Sequence, residues 1–229
     1  DGFDQIYALL DVSFDRVYFE SEVETSGKEL VEGLIERNIA IDERPEGPVI
    51  VRIDDLLGQD LDDYRVLVVL RSDGTSLYAT KDLPLAIKKF EEFDLDRSIY
   101  VIDVRQSHYL RQIFKTLEIM GYSWADQLVH LAYEIVNLPG NVTMRSRDGT
   151  VVLLEDLVRE ATNRAQEVVE EHNPELSPDQ QEAVAQSVGL GAIKYPMLAR
   201  DNAKMVTFDW KSALDLKGHA AIYIQYAQV

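Results

Sequence analysis

Tyr78 and Asp82 stand four residues apart in the stretch Arg71–Asp82, RSDGTSLYATKD. On a helix that spacing puts both side chains on one face. A phenol beside a carboxylate suits a guanidinium, which takes a carboxylate through paired hydrogen bonds and stacks on or bonds to an aromatic neighbour. Each residue also has an ordinary explanation: Asp82 complements a helix dipole from the first turn, and Tyr78 fills a core or edge position. Glu20, in Phe19-Glu20-Ser21, is a second candidate acceptor or a solvated strand end. Gln106 and His108 follow the apolar run Ser98–Asp103. Gln106 can bond an amino group or cap a helix, and His108 can exchange a proton or merely begin a helix. Arg145 and Arg147 lie in Asn141–Val152, NVTMRSRDGTVV. They can clamp phosphate oxygens, although Arg-Ser-Arg-Asp-Gly is equally an exposed turn.

These side chains need elements to place them. Ser72-Asp73-Gly74-Thr75 has turn chemistry. Thr80 through Pro84 reads as a helix start, with Thr80 as the cap and Pro84 in the first turn. Arg16–Phe19, Val49–Ile53, Arg65–Leu70, Ser98–Asp103 and Leu128–Val136 read as strands. The run in Arg65–Leu70 is apolar on both faces, which predicts a sheet covered on both sides. Apolar spacing predicts helices over residues 3–12, 24–37, 83–93, 107–120, 155–172 and 179–193, and an all-helical last third apart from a turn near 202–209. Strand–helix alternation over residues 1–155 predicts an open parallel α/β sheet, followed by a helical region over 156–229. Ligands of such sheets bind beyond the carboxyl ends of the strands, which is where Glu20, Gln106, His108 and the 138–149 loop fall. Tyr78 and Asp82 are expected to converge on the same crevice.

Composition narrows the function classes. The chain has 229 residues, 46% of them hydrophobic, so it can build a real core. It has no cysteine and only four scattered histidines, which leaves neither a disulfide framework nor a zinc-ligand pattern. A net charge of −18 argues against an autonomous nucleic-acid-binding module and fits a cationic small molecule better. No P-loop, GxGxxG or sortable Ser–His–Asp set is present. No run is long enough to span a bilayer and no signal-peptide pattern opens the chain, so a cytoplasmic protein without a membrane partner is expected. Both ends, Asp1-Gly2-Phe3 and the uncapped Ala221–Ala227, read as cut.

Taken in series, RSDGTSLYATKDLPLA, VIDVRQSHYLRQIF, LPGNVTMRSRDGTVVLLEDL and GLGAIKYPMLARDNAKMVTFDWKSALDLKGHAAIYIQYA resemble the class I arginyl-tRNA synthetases, in that family's order and over nearly the whole chain. Several motifs in one order favour the functional readings above over the ordinary ones. The resemblance implies a Rossmann-like catalytic-domain fragment, residues 1–155, and a helical region, residues 156–229, leading toward an anticodon-binding domain. It implies ATP-dependent activation of L-arginine to the adenylate and transfer to tRNA(Arg), with magnesium arriving on ATP. Tyr78 and Asp82 match the residues that recognise the guanidinium, Gln106 a glutamine near the α-amino end, and Glu20 a glutamate of the arginine pocket. Met144-Arg145-Ser146-Arg147-Asp148-Gly149 stands where the family's phosphate-holding KMSKS-type loop lies, with Arg147 and Arg145 as catalytic cations and Met144, Ser146, Gly149 and His108 as ATP contacts. Asp148 occupies a position where lysine is expected, and an acid there opposes phosphate binding, which leaves Arg147 as the principal cation. The family's HIGH motif does not occur in this sequence. The expectation is that this chain alone does not form the adenylate at a useful rate, since the transition state needs both halves of the ATP site. The alternative is a non-catalytic arginine-binding or interaction module derived from the same fold.

Overall fold

A computed structural model describes residues 2–58, 63–138, 142–143, 153–213 and 221–227. They fall into two compact units: residues 16–133, and residues 1–15 together with 134–229. Helix α1 (Gly2–Leu9) belongs to the latter.

In the 16–133 unit, α2 (Glu24–Glu36) buries Val31 and Leu34, three residues apart on one face. Strands β1 (Ile41–Asp42), β2 (Val49–Arg52) and β3 (Val66–Leu70) form an antiparallel sheet in that order, with the short helix α3 (Ile53–Leu56) between β2 and β3. β3 is not buried on both faces as its composition predicts: Leu67 and Val69 point inward, whereas Val66 and Val68 are exposed. An antiparallel meander can leave one face in water, and valine there still fits the pleat. Arg16–Phe19, expected as a strand, pairs with no other strand among the described residues; it runs instead into a single 3-10 turn, Glu20–Glu22. Side chains hold it in place: Tyr18 donates to Glu92 at 2.6 Å, and Arg16 reaches Glu22 at 2.8 Å.

Helix α4 (Tyr78–Glu92) buries Ala79, Leu83 and Ala86. It starts two residues before the expected cap. Thr80 lies inside the first turn, where its hydroxyl accepts from the Leu77 amide at 2.8 Å and donates to the Val69 carbonyl of β3. Pro84 is therefore the seventh residue of the helix and cannot return a hydrogen bond to the Thr80 carbonyl. Gly27 of α2 lies against that carbonyl so closely that a Cβ on Gly27 would collide with its oxygen. Sequence at both contact points thus lets α2 and α4 pack closely.

Strands β4 (Ser98–Asp103) and β5 (Leu128–Tyr133) pair in parallel, Ser98 opposite Leu128 through Asp103 opposite Tyr133. The amphipathic helix α5 (Ser107–Ile119) connects them and buries Leu110, Ile113 and Leu117. This two-stranded βαβ unit is the part of the expected open parallel sheet that forms among the described residues; β2 and β3, expected in the same sheet, pair antiparallel in a separate one, because the short α3 joins them where a parallel pair needs a long crossover. One continuous core joins Val49 and Val51 of β2, Val69 of β3, Leu83 of α4, Ile113 and Leu117 of α5 and Leu128 of β5.

In the other unit, the expected strand Leu128–Val136 ends at Tyr133, and β6 (Val136–Leu138) begins a separate ladder. β6 pairs antiparallel with β7 (Val142–Thr143). Helices α6 (Leu154–His172) and α7 (Pro178–Leu198) pack through small residues: Ala161, Ala165 and Ala185 are fully buried, and Gly189 meets the backbone of Thr162. Ser177 and Gln180 form a capping box that starts α7. The expected turn near 202–209 contains a short strand. β8 (Val206–Thr207), two β-branched residues, pairs in parallel with Val136 and Asn137 before α8 (Trp210–Ala213) and α9 (Ala221–Ala227). No helix among the described residues is long and apolar enough to cross a membrane.

Candidate arginine-recognition site

The turn before α4 is built as its composition dictates. Asp73 accepts from the amide and hydroxyl of Thr75 at 2.9 and 2.7 Å, which holds its carboxyl below the ordinary range. Gly74 supplies a φ of +78°, and the chain returns at Ser76 beside Leu70. α4 therefore begins at Tyr78, so Tyr78 and Asp82 occupy positions i and i+4 of a formed helix. Tyr78 is 76% exposed, whereas Asp82 is half-buried.

Asp82 has an unusual setting for a carboxylate. Burial pushes its carboxyl up from the ordinary value; the Tyr109 hydrogen bond and the Lys89 charge pull it back, and Glu20 opposes them. Tyr109 of α5 donates its hydroxyl to Oδ2 at 2.5 Å. No cation lies within ion-pair range of Asp82 among the described residues. Lys89, about two turns further along α4, has its ammonium 4.2 Å from the centre of the Tyr100 ring. Burial lowers the Lys89 ammonium, and Asp82 raises it in part. Tyr100 is pushed up to about 12, chiefly by burial, and Tyr109 is raised by burial and by the adjacent Asp82 charge.

Glu20 reaches the same end of α4 differently. It is exposed, and its Oε2 lies 2.5 Å from the Lys81 ammonium, whose pKa it raises. Gln106 is the N-cap residue of α5, three positions before Tyr109; its side chain is exposed and makes no capping hydrogen bond. Nearby, Asp103 closes β4 by accepting from the Arg105 guanidinium at 2.6 and 2.8 Å. His108 faces elsewhere: its Nε2 lies 3.0 Å from the Tyr64 carbonyl, which also accepts from Gln112. Glu20, Tyr78 and Asp82 are thus gathered on the start of α4, and Gln106 lies one turn from the residue that holds Asp82. Met144, Arg145, Ser146, Arg147 and Gly149 lie outside the described residues.

Sequence reasoning missed Tyr109, Lys81 and Lys89. The signal for Tyr109 was present, three residues after Gln106 on a predicted helix, but the adjacent Leu110 and Ile113 make it look like one more core residue.

The βαβ unit, with polar residues at its carboxyl end and a half-buried carboxylate outside ion-pair range of any cation among the described residues, belongs to the class of α/β folds whose ligands bind beyond the carboxyl ends of parallel strands. Comparison with known proteins gives the particular member. Residues 1–210 match the family described as tRNA synthetases class I (R), catalytic domain, and the chain belongs to that family. It is 34% identical over 227 residues to the arginine–tRNA ligase of Clostridium botulinum, covering 98% of this chain and 38% of the relative. It is 37% identical to the arginine–tRNA ligase of Bacteroides thetaiotaomicron, again over 98% of this chain, and 37% of the relative. Among solved structures, the Thermus thermophilus arginyl-tRNA synthetase superposes with a TM-score of 0.76 at 27% identity, over 96% of this chain and 42% of that one. The Plasmodium falciparum arginyl-tRNA synthetase superposes equally well, at 0.76 and 20% identity, over 98% of this chain and 36% of that one, and so shares the fold. The chain spans about 38% of the length of the first of these curated relatives.

Proposed function

We propose that this chain supplies the arginine-recognition part of an ATP-dependent arginine–tRNA ligase. The observation that carries the reading is Asp82: a half-buried carboxylate anchored by a neutral hydroxyl, with no cation in ion-pair range among the described residues. Burying such a charge is unfavourable unless something compensates it, and a guanidinium does so with a planar, two-pronged donor. Tyr78 on the same helix face offers a ring and a hydroxyl to the guanidinium, Gln106 an acceptor to the α-amino group, and Glu20 added negative charge. Lysine cannot form the paired bonds and citrulline has no charge, so both leave the carboxylate poorly compensated.

In the proposed reaction the arginine carboxylate attacks the α-phosphorus of ATP and pyrophosphate leaves. A hydroxyl of the terminal adenosine of tRNA(Arg) then attacks the adenylate carbonyl and AMP leaves. Arg147 and Arg145 would stabilise charge on the phosphates, with Met144, Ser146, Gly149 and His108 around ATP. Magnesium would come bound to ATP, and no residue of this chain is assigned to it. Residues 1–155 would carry the catalytic part and 156–229 the helical approach to the tRNA-binding remainder, in the cytoplasm. The HIGH motif is not in this sequence, so turnover by this chain alone is not expected. The names of the matched relatives do not favour the alternative of a non-catalytic module.

Calorimetric titration with L-arginine, with lysine and citrulline as controls, tests the reading. Arginine-selective heat that disappears in Asp82→Asn supports it. A folded chain that binds lysine or citrulline as well as arginine, or binds arginine unchanged in Asp82→Asn, overturns it.

A further inference from the structure

Four titratable groups meet where α4, β4 and α5 pack: Asp82 and Lys89 from α4, Tyr100 from β4 and Tyr109 from α5. Glu20 is the remaining charge that acts on Asp82. Their arrangement is asymmetric. The cation that could neutralise Asp82 lies over an aromatic ring, and the group that touches the carboxylate is a neutral phenol. A lysine or arginine at position 109 would hold Asp82 more firmly, but it would also cancel the charge. A phenylalanine would preserve the charge but leave the carboxylate free to rotate. Tyrosine alone of these fixes the rotamer and keeps the site anionic. Its hydroxyl takes up Oδ2, and no other hydrogen bond from the described residues reaches either oxygen.

We propose that Tyr109 is a positioning residue for arginine recognition: its hydroxyl, donating to Asp82 Oδ2 across the α4–α5 contact, fixes the carboxylate in one orientation while leaving its charge for the substrate guanidinium. The proposal rests on the assignment of Asp82 to the arginine pocket. Tyr109 is well placed for it, because its ring packs against the main core and its position is therefore set by the fold rather than by the ligand. Fixing a recognition group before the ligand arrives lowers the ordering cost of binding.

The experiment uses the chain as it is, with Tyr109→Phe, Asp82→Asn and the double variant. Two quantities are read: arginine affinity by calorimetry between about pH 5 and 8, and the titration of the Asp82 carboxyl carbon by NMR without ligand. Tyr109→Phe keeps the ring and its packing. It is expected to weaken arginine about fivefold near neutral pH, less than the loss of a direct hydrogen bond to a charged group, because the bond removed is not itself a contact with the ligand. It is also expected to raise the Asp82 midpoint, so that the deficit deepens as pH falls. In the Asp82→Asn background the same substitution should change arginine affinity little. An unchanged midpoint and affinity in Tyr109→Phe overturns the positioning role. So does an equal loss in both backgrounds, which would make the ring's packing the whole effect. Failure of the unmutated chain to bind arginine overturns the assignment of Asp82 as well, whereas binding that Tyr109→Phe leaves untouched overturns only the role of Tyr109.

Discussion

Two carboxylates stand at the start of α4, and they are held in opposite ways. Asp82 is half-buried, anchored by a phenol and raised in pKa by burial. Glu20 is exposed and already paired with the Lys81 ammonium at 2.5 Å. A charge in a dry setting interacts strongly with whatever cation reaches it, whereas an exposed pair is screened by water and salt. Specificity should therefore reside at Asp82, and Glu20 should tune the approach of ligand.

The comparison breaks most visibly at Asp82 itself. Asp82→Asn keeps the shape and removes the charge; arginine affinity should fall about a hundredfold, near 3 kcal/mol, by calorimetry. The same substitution should make the ligand-free chain more stable at neutral pH. The folded carboxyl titrates above its ordinary 3.8, so the stabilising proton is fully bound below that value and is lost as pH rises through the folded midpoint. Thermal melts should show Asp82→Asn ahead at neutral pH, with the gap closing as the solution is acidified below the midpoint. Tyr100→Leu should come next. Without the ring, Lys89 can turn to Asp82 and compete with arginine, which weakens binding about fivefold. Adding Lys89→Met should restore most of the loss, and no recovery would mean that the ring does not hold the ammonium away. Glu20→Gln should cost about two- to threefold, an effect that fades as salt is raised from about 50 to 500 mM. Lys81→Met should be the smallest change, a gain of under about twofold from freeing Glu20. If Glu20→Gln were to cost more than Asp82→Asn, the division of labour between the two carboxylates would be wrong.

Much of this was legible in the sequence. The turn at Ser72–Thr75, the amphipathic α5 and the apolar β4 were readable because local chemistry determines each of them. The i, i+4 placement of Tyr78 and Asp82 on one helix was legible from their spacing. What local chemistry does not carry is pairing. Val66 and Val68 look like residues of a covered sheet, and only the antiparallel partner β2 shows that they face water. Arg16–Phe19 has strand-forming residues but no ladder to join among the described residues. Thr80 has the makings of a cap, yet the Leu77 amide and the Val69 carbonyl draw it into the first turn. Tyr109 escaped for the same reason: its partner is 27 positions away in sequence.

The contact between Gly27 and the Thr80 carbonyl has a consequence for how such a chain can drift. The turn of α4 that carries Tyr78 and Asp82 sits where it does because α2 presents a lone hydrogen atom at that spot. In a survey of inherited variants, Gly27 would therefore behave like a ligand-contacting residue although it contacts no ligand. Even alanine there, harmless on most helices, would push the recognition turn off its seat. The freedom to vary at position 27 is limited by a backbone carbonyl on another helix, and what that position transmits from one generation to the next is an absence of atoms.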